Sequence, residues 1–187
     1  KLRIAFLASS TINGFEETIR VKCFQKGIDC ITYVADYNQY NQEILNQNSG
    51  LYRFKPDITF LILDTRHILG DYYFSWNSVS YEDRPKIINT KVSEIENICN
   101  TFTKNSDSKL IITSLQIPNY SPYGINEEVT TTSLKQAVHE INTKISQSNK
   151  ELKLFTYDFN EFVRKFGENN IFKFKQFFSG DIKISTE

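Results

Sequence analysis

The 187-residue chain has little of several features that mark specialised classes of protein. Its three cysteines, Cys23, Cys30 and Cys99, are odd in number and unevenly spaced, which suits neither a disulfide framework nor a zinc site. The two histidines, His67 and His139, are too few for a Cys/His metal cluster. We therefore expect a domain with no metal and no cofactor of its own, in a reducing compartment.

Net charge and long apolar runs are lacking as well. The 22 Lys and Arg residues balance 22 Asp and Glu residues, and no basic block supplies the positive field that nucleic-acid binding needs. No apolar run approaches the roughly 20 residues that cross a bilayer. The opening KLRIAFLASS has an apolar stretch too short for a secretion signal. We expect a cytoplasmic protein that binds neither nucleic acid nor membrane.

Apolar runs of strand length alternate with segments of helical periodicity. Strands are predicted at residues 2–8, 29–34, 58–63, 109–115 and 152–157. Helices are predicted at residues 15–26, around 42–45, and at 85–103, 131–147 and 159–166. Continuous apolar strands that alternate with helices are typical of a parallel sheet covered on both faces. The sequence predicts one α/β domain over residues 1–187, a three-layer α/β/α sandwich with a five-stranded, mainly parallel sheet.

Ligands of open parallel sheets bind beyond the carboxyl ends of the strands, so the polar residues there are the candidate site. In chain order these are Ser9, Ser10, Thr11, Asp36, Tyr37, Asn38, Asp64, Arg66, His67, Gln116, Asn119, Asp158 and Asn160. The last stretch of the chain, SGDIKISTE, has no terminating element, and we expect the chain to be part of a longer protein.

The hydroxyl groups after the first strand have two interpretations. Ser9 or Ser10 could be a nucleophile, which needs a neighbouring base, or a hydroxyl here could cap the helix that follows. His67 follows a strand end and is the imidazole placed to serve as base, whereas His139 falls within a helix. The candidate catalytic residues are therefore Ser9, Ser10 and His67.

Charged groups after two other strands also have two interpretations. Asp64 and Arg66 could pair with each other and order the loop, or the guanidinium fork of Arg66 could hold a carboxylate or phosphate. Asp158 could contact a ligand or cap the next helix. We keep all three as candidate substrate-binding residues, with Thr11, Asn38 and Asn119.

The segment 64–84 is predicted to be a long loop and is rich in aromatic residues, with Tyr72, Tyr73, Phe74, Trp76 and Tyr81. Such a loop forms a lid, a plug buried under its own domain, or a face that docks a neighbouring domain.

Four stretches carry a resemblance to a known family: LASSTINGF, YNQYNQEILNQNSGLYRFKPD, FLILDTRHILGD and YDFNEFVRKFGENNIFKFKQFFSGDIKIS. They resemble the amino-terminal region of FkbH-like proteins, whose second half is a domain of the haloacid dehalogenase (HAD) superfamily, subfamily IIIC. The resemblance implies an SGNH-hydrolase-like, flavodoxin-like fold, in agreement with the predicted order of strands and helices.

The catalytic motifs of SGNH hydrolases are altered in this chain. Their Gly-Asp-Ser motif corresponds to ASST at residues 8–11, and their Gly-x-Asn-Asp motif to LDTR at residues 63–66. Their last motif, Asp-x-x-His, has no counterpart, because no histidine follows His139. The comparison implies that the catalytic dyad is missing and that the domain by itself is inactive.

In FkbH-like proteins the HAD-type domain is associated with moving a glyceryl unit from a phosphorylated three-carbon donor to the thiol of an acyl-carrier protein. Its Asp-x-Asp motif is absent from this chain. The resemblance thus implies an accessory, substrate-positioning domain. Its partners would be a following HAD-type domain, which would hold any Mg²⁺, and an acyl-carrier protein. Two alternatives stay open: an active esterase or acyltransferase that uses Ser9 or Ser10, and a non-enzymatic interaction module.

Overall fold

A computed structural model of the protein describes residues 1–12, 14–127, 129–152 and 154–182. The five predicted strands are all present, with ends shifted by one or two residues. They are β1 (Leu2–Ala8), β2 (Cys30–Val34), β3 (Ile58–Ile62), β4 (Lys109–Thr113) and β5 (Leu154–Tyr157). All four strand pairings are parallel, and the strand order is β2-β1-β3-β4-β5.

Helices connect these strands. They are α1 (Phe15–Gln25), α2 (Tyr40–Leu45), α3 (Gly50–Phe54), α4 (Thr65–Leu69), α5 (Tyr72–Ser75), α6 (Arg84–Asn105), α7 (Leu134–Leu152), α8 (Phe159–Phe166), α9 (Glu168–Ile171) and α10 (Phe174–Gly180). None in the described ranges is long and apolar enough to cross a bilayer.

Two predicted element boundaries were wrong for local reasons. The segment 64–84 was predicted to be a loop, but it contains α4, α5 and a 3₁₀ turn over Trp76–Ser78. The helix α4 begins where it does because the Asp64 carboxylate accepts a hydrogen bond from the backbone N–H of Arg66. The helix predicted to start at residue 131 starts at Leu134, because Thr132 has a left-handed φ of 52° that no helix accommodates.

The two faces of the sheet are covered by different sets of helices. Successive side chains of β1 point to opposite faces and therefore contact different helices. Leu7 joins a large core that includes Leu61 and Ile112 of neighbouring strands and Ile95 and Ile141 of α6 and α7. This core fills the space between the sheet and the layer formed by α2, α6 and α7.

On the opposite face, Phe6 contacts Phe15 of α1 edge-on, with ring centroids 5.4 Å apart. Helices therefore lie on both faces of the sheet, which confirms the predicted three-layer α/β/α sandwich.

Candidate functional site

A cleft of about 360 Å³ opens at the carboxyl edge of the sheet. Its walls come from the segments after β1, β2 and β3 and from the end of α10. The chain leaves β1 toward β2 on one side and returns to β3 on the other. The cleft therefore lies at the point where the winding direction reverses, which is where doubly wound folds bind ligands. Its lining residues are Thr11, Tyr37, Arg66, Phe178, Ser179, Gly180 and Asp181.

The carboxylate of Asp181 is the group on which the polar side chains of this cleft converge. The Tyr37 hydroxyl donates to its Oδ2 atom over 2.6 Å, and Nε2 of His67 lies 3.2 Å from the same oxygen. The guanidinium of Arg66 forms an ion pair with Oδ1. The hydrogen bond to this carboxylate, together with partial burial, raises the pKa of Tyr37 above its ordinary value. The side chain of Asp181 is only 11% exposed.

The backbone around Asp181 is attached to the segment after β1. The backbone N–H of Thr11 donates to the carbonyl of Asp181 over 3.1 Å, and its hydroxyl donates to the carbonyl of Gly180 over 3.2 Å. Thr11 also forms an isolated parallel bridge with Ile182. Asp181 and Ile182 thus lie beside the end of β1, at the mouth of the cleft.

His67 lies between two carboxylates. Its Nδ1 atom is 3.6 Å from Oδ1 of the buried Asp64, too far for a hydrogen bond, and its Nε2 atom faces Asp181. The Nδ1 atom is buried and has no hydrogen-bond partner. Asp64 and Asp181 therefore hold the imidazole from opposite sides.

The two candidate nucleophiles are inside the protein. Ser9 is fully buried, and its hydroxyl oxygen accepts a 2.8 Å hydrogen bond from the backbone N–H of Asp64, which ties the end of β1 to the end of β3. Ser10 is 3% exposed. Within the described residues, no hydrogen bond joins either hydroxyl to His67. The alternative that a hydroxyl caps α1 was wrong, because the N-cap position is Gly14 and no side chain caps the helix.

Four predicted substrate-binding residues do not line the cleft, and one of them is Asp64, which is buried and caps α4. Asn38 and Asn119 are exposed, and Asn38 has a left-handed φ of 55°. Asp158 caps α8 by accepting a hydrogen bond from the backbone N–H of Glu161 over 3.0 Å, which matches its structural interpretation.

Two residues of the site were not chosen as candidate substrate-binding residues. The rule about strand ends did point to Tyr37, which follows β2, but Asn38 beside it was chosen instead. Asp181 follows no strand and lies 144 residues from Tyr37, so no spacing indicated it.

The aromatic segment is partly an anchor and partly an exposed surface. The Trp76 side chain is 1% exposed, and its indole N–H donates to the carbonyl of Thr132 over 2.9 Å. Phe74 and Tyr81, by contrast, are 62% and 60% exposed. With the half-exposed Tyr72, these two form what we call the aromatic surface.

Arg84, at the start of α6, holds this segment against the loop before α7. Its buried guanidinium donates to the carbonyl of Thr131 over 2.9 Å and to the Tyr123 hydroxyl over 2.7 Å, and it lies 4.2 Å from the ring centroid of Tyr81. Further donors reach the carbonyls of Trp76, Val79 and Thr132. The buried guanidinium of Arg84 thus joins the aromatic segment to the loop before α7.

Metal ligands were sought among the His, Cys, Asp and Glu side chains. In the part of the chain that the structure describes, no three of them are grouped so that they could hold a metal ion. The expectation that Mg²⁺ belongs to a following domain stays a prediction.

The strand order, the two helical layers and the cleft at the reversal point define an SGNH-hydrolase-like α/β domain. The chain belongs to the family described as FkbH, N-terminal domain, whose sequence model matches residues 3–187. No curated protein matches it.

Solved structures share the fold at low sequence identity. The N-terminal part of a Bacteroides fragilis protein that contains a phosphatase domain, complexed with Mg, is 17% identical with a TM-score of 0.81. The match covers 98% of this chain and 47% of that one, so the chain spans about half the length of that neighbour.

Two lipase structures extend the comparison. A lipase/acylhydrolase from Enterococcus faecalis is 8% identical with a TM-score of 0.61, and the match covers 100% of this chain and 88% of that one. A GDSL-like lipase from Bacteroides thetaiotaomicron is 16% identical with a TM-score of 0.52, over 98% and 80% of the two chains. Both neighbours support the hydrolase-like fold and, at these identities, nothing about activity.

Proposed function

We propose that this domain is an accessory domain of an FkbH-type protein, which positions a substrate for a phosphatase-type domain of the same polypeptide. The complete protein would transfer a glyceryl or related acyl unit from a phosphorylated donor to the thiol of an acyl-carrier protein. Mg²⁺ would be bound by the phosphatase-type domain.

The observation that carries the accessory role is the placement of the serines. A nucleophilic hydroxyl must lie within hydrogen-bond reach of its base and be open to substrate. Ser9 instead accepts a hydrogen bond from the Asp64 backbone, and Ser10 is buried. The imidazole of His67 is directed toward Asp181 and Tyr37. The hydrolase-like fold is therefore present without a hydrogen bond, among the described residues, between either serine hydroxyl and the imidazole of His67.

The partner domain is inferred from the structural neighbour. That solved chain contains a phosphatase domain, and the match with this chain covers 47% of it. The aromatic surface is our candidate contact with that domain, because Phe74 of α5 and Tyr81 are exposed and Arg84 hydrogen-bonds to the segment between them.

Hydrolysis of p-nitrophenyl acetate by the purified chain tests the accessory role. We expect a rate no higher than that of the Ser9→Ala and Ser10→Ala variants. A higher rate that Ser10→Ala abolishes would overturn the proposal.

In the complete protein, loading of an acyl-carrier protein, measured by mass spectrometry, is expected to survive Ser10→Ala and to fall with Phe74→Ser/Tyr81→Ser. Unchanged loading in the double variant would refute the role of the aromatic surface.

A second function is favoured by one contact, that of Asp64 with His67. A carboxylate beside Nδ1 is the arrangement that orients an imidazole as a general base, so an esterase that uses Ser9 or Ser10 after rearrangement is the alternative. In that case His67→Ala should abolish ester hydrolysis, while His139→Ala, the control at the exposed histidine, should leave it unchanged. Equal rates in both variants would exclude this function.

A further inference from the structure

We propose that Arg66, His67 and Tyr37 form a binding site for a small anion, a phosphate monoester or a carboxylate, and that Asp181 occupies this site in the absence of ligand. The inference rests on the proposed function only where it identifies the anion with part of the substrate. The binding site itself requires no catalysis.

The Asp181 carboxylate is contacted by Arg66, His67 and Tyr37 in the way that a protein contacts a bound anion. An Arg guanidinium contacts one carboxylate oxygen, and a phenol hydroxyl and an imidazole nitrogen contact the other. The exposed fractions of the side chains are 21% for Arg66, 18% for His67 and 11% for Asp181. Charge-assisted hydrogen bonds of this kind are the strong ones, and an Arg fork fits the oxygens of carboxylate and phosphate alike.

The position and size of the cleft agree with a ligand site. It lies beyond the ends of β1 and β3, where this class of fold binds ligands, and its volume of about 360 Å³ is at the lower end of small-molecule sites. Thr11 and Ser179 line it as well, and their hydroxyl groups donate to the backbone carbonyls of Gly180 and Lys175.

The side chain of Asp181 is held in the cleft by hydrogen bonds and an ion pair that an external anion could replace. Beside its side-chain contacts, the segment around it is joined to the end of β1 through Thr11, which bonds to the carbonyls of Gly180 and Asp181 and bridges to Ile182. An external anion would supply Arg66 with a negative charge in place of that of Asp181. It also frees the side chain of Asp181, so the site couples anion binding to the position of Asp181 and Ile182 beside Thr11.

The test is titration of inorganic phosphate and of acetate into the ¹⁵N-labelled chain at constant ionic strength, followed by NMR. Removing the internal competitor should tighten anion binding about ten-fold in Asp181→Asn and Asp181→Ala. Asp29→Asn, which removes an exposed carboxylate paired with Lys1, is the matched control and should bind as the unmodified chain does. The shifts should centre on Thr11 and Arg66.

Asp181→Asn/Arg66→Gln should lose the gained affinity, and thermal unfolding of each variant shows that it is folded. Tighter binding of phosphate than of acetate assigns the site to phosphate esters, and the reverse assigns it to carboxylates. No gain in either Asp181 variant, for either anion, would overturn the proposal, as would a gain that survives Arg66→Gln. The loading assay of the complete protein measures the proposed function separately, since the titration does not depend on it.

Discussion

Replacement of Arg84 by alanine should destabilise the domain more than any loop substitution at its surface. The residue is 2% exposed, and its guanidinium hydrogen-bonds to Thr131 and Tyr123 and lies over Tyr81. Truncation leaves several carbonyl groups without their donor and opens a cavity between two loops.

The magnitude follows from the number and type of contacts. A hydrogen bond to a charged group contributes roughly 1.5–3 kcal/mol, but bonds within one network are not additive. Loss of the two short bonds, to Thr131 and Tyr123, alone should cost about 3–5 kcal/mol, and we expect a loss in that range for Arg84→Ala. For a domain of this size the melting temperature should then fall by roughly 6–20 °C.

Urea unfolding followed by circular dichroism measures this loss. Arg84→Lys keeps the charge but not the planar fork of donors. It should therefore lose most of the stabilisation that Arg84 provides. Lys86→Ala, whose side chain is 74% exposed and pairs with Asp83, is the control and should cost less than about 1 kcal/mol. A loss below about 1 kcal/mol for Arg84→Ala would refute the idea that this cation holds the two loops together.

Three further predictions concern other buried groups. Ser9→Ala removes the acceptor of the buried Asp64 N–H, so urea unfolding should show a loss of about 1–3 kcal/mol; no loss would mean that the hydroxyl has no structural role. Burial raises the pKa of Cys99 to about 12, so Ellman's reagent should modify the half-buried Cys23 in the native protein and Cys99 only after unfolding; fast native modification of Cys99 would contradict this. Burial raises the pKa of Glu168, so the folded state holds its proton more tightly than the unfolded state. Stability should therefore decline as the pH rises above the ordinary pKa of about 4.3, and Glu168→Gln should flatten this dependence in unfolding curves; an unchanged slope would refute it.

The five strands could be predicted because the cause of each is local. A strand such as Ile58–Ile62, between neighbours in a parallel sheet, must be apolar along its whole length, and that run is visible in the sequence. Turn chemistry was less visible: the left-handed Thr132 moved the start of α7, and no pattern of residue types indicated it.

Part of the candidate site could also be predicted from local sequence. Thr11, Arg66 and His67 were predicted from the rule that polar residues after parallel strands meet at one edge, and the structure places all three around Asp181. The rule does not say which hydroxyl faces inward. Ser9 was a candidate nucleophile, but it became the buried acceptor for Asp64, because the register of β1 against β3 sets its direction.

The sequence by itself determined the class of fold, the sheet edge that carries the site, and the family resemblance. Only the tertiary structure decided which groups meet there. Asp181 lies 115 residues from Arg66 and 144 from Tyr37, and the three are brought together by the return of α10 to the end of β1. Contacts between such distant residues depend on how whole elements pack. Local spacing therefore could not reveal that the chain supplies a carboxylate to its own cleft.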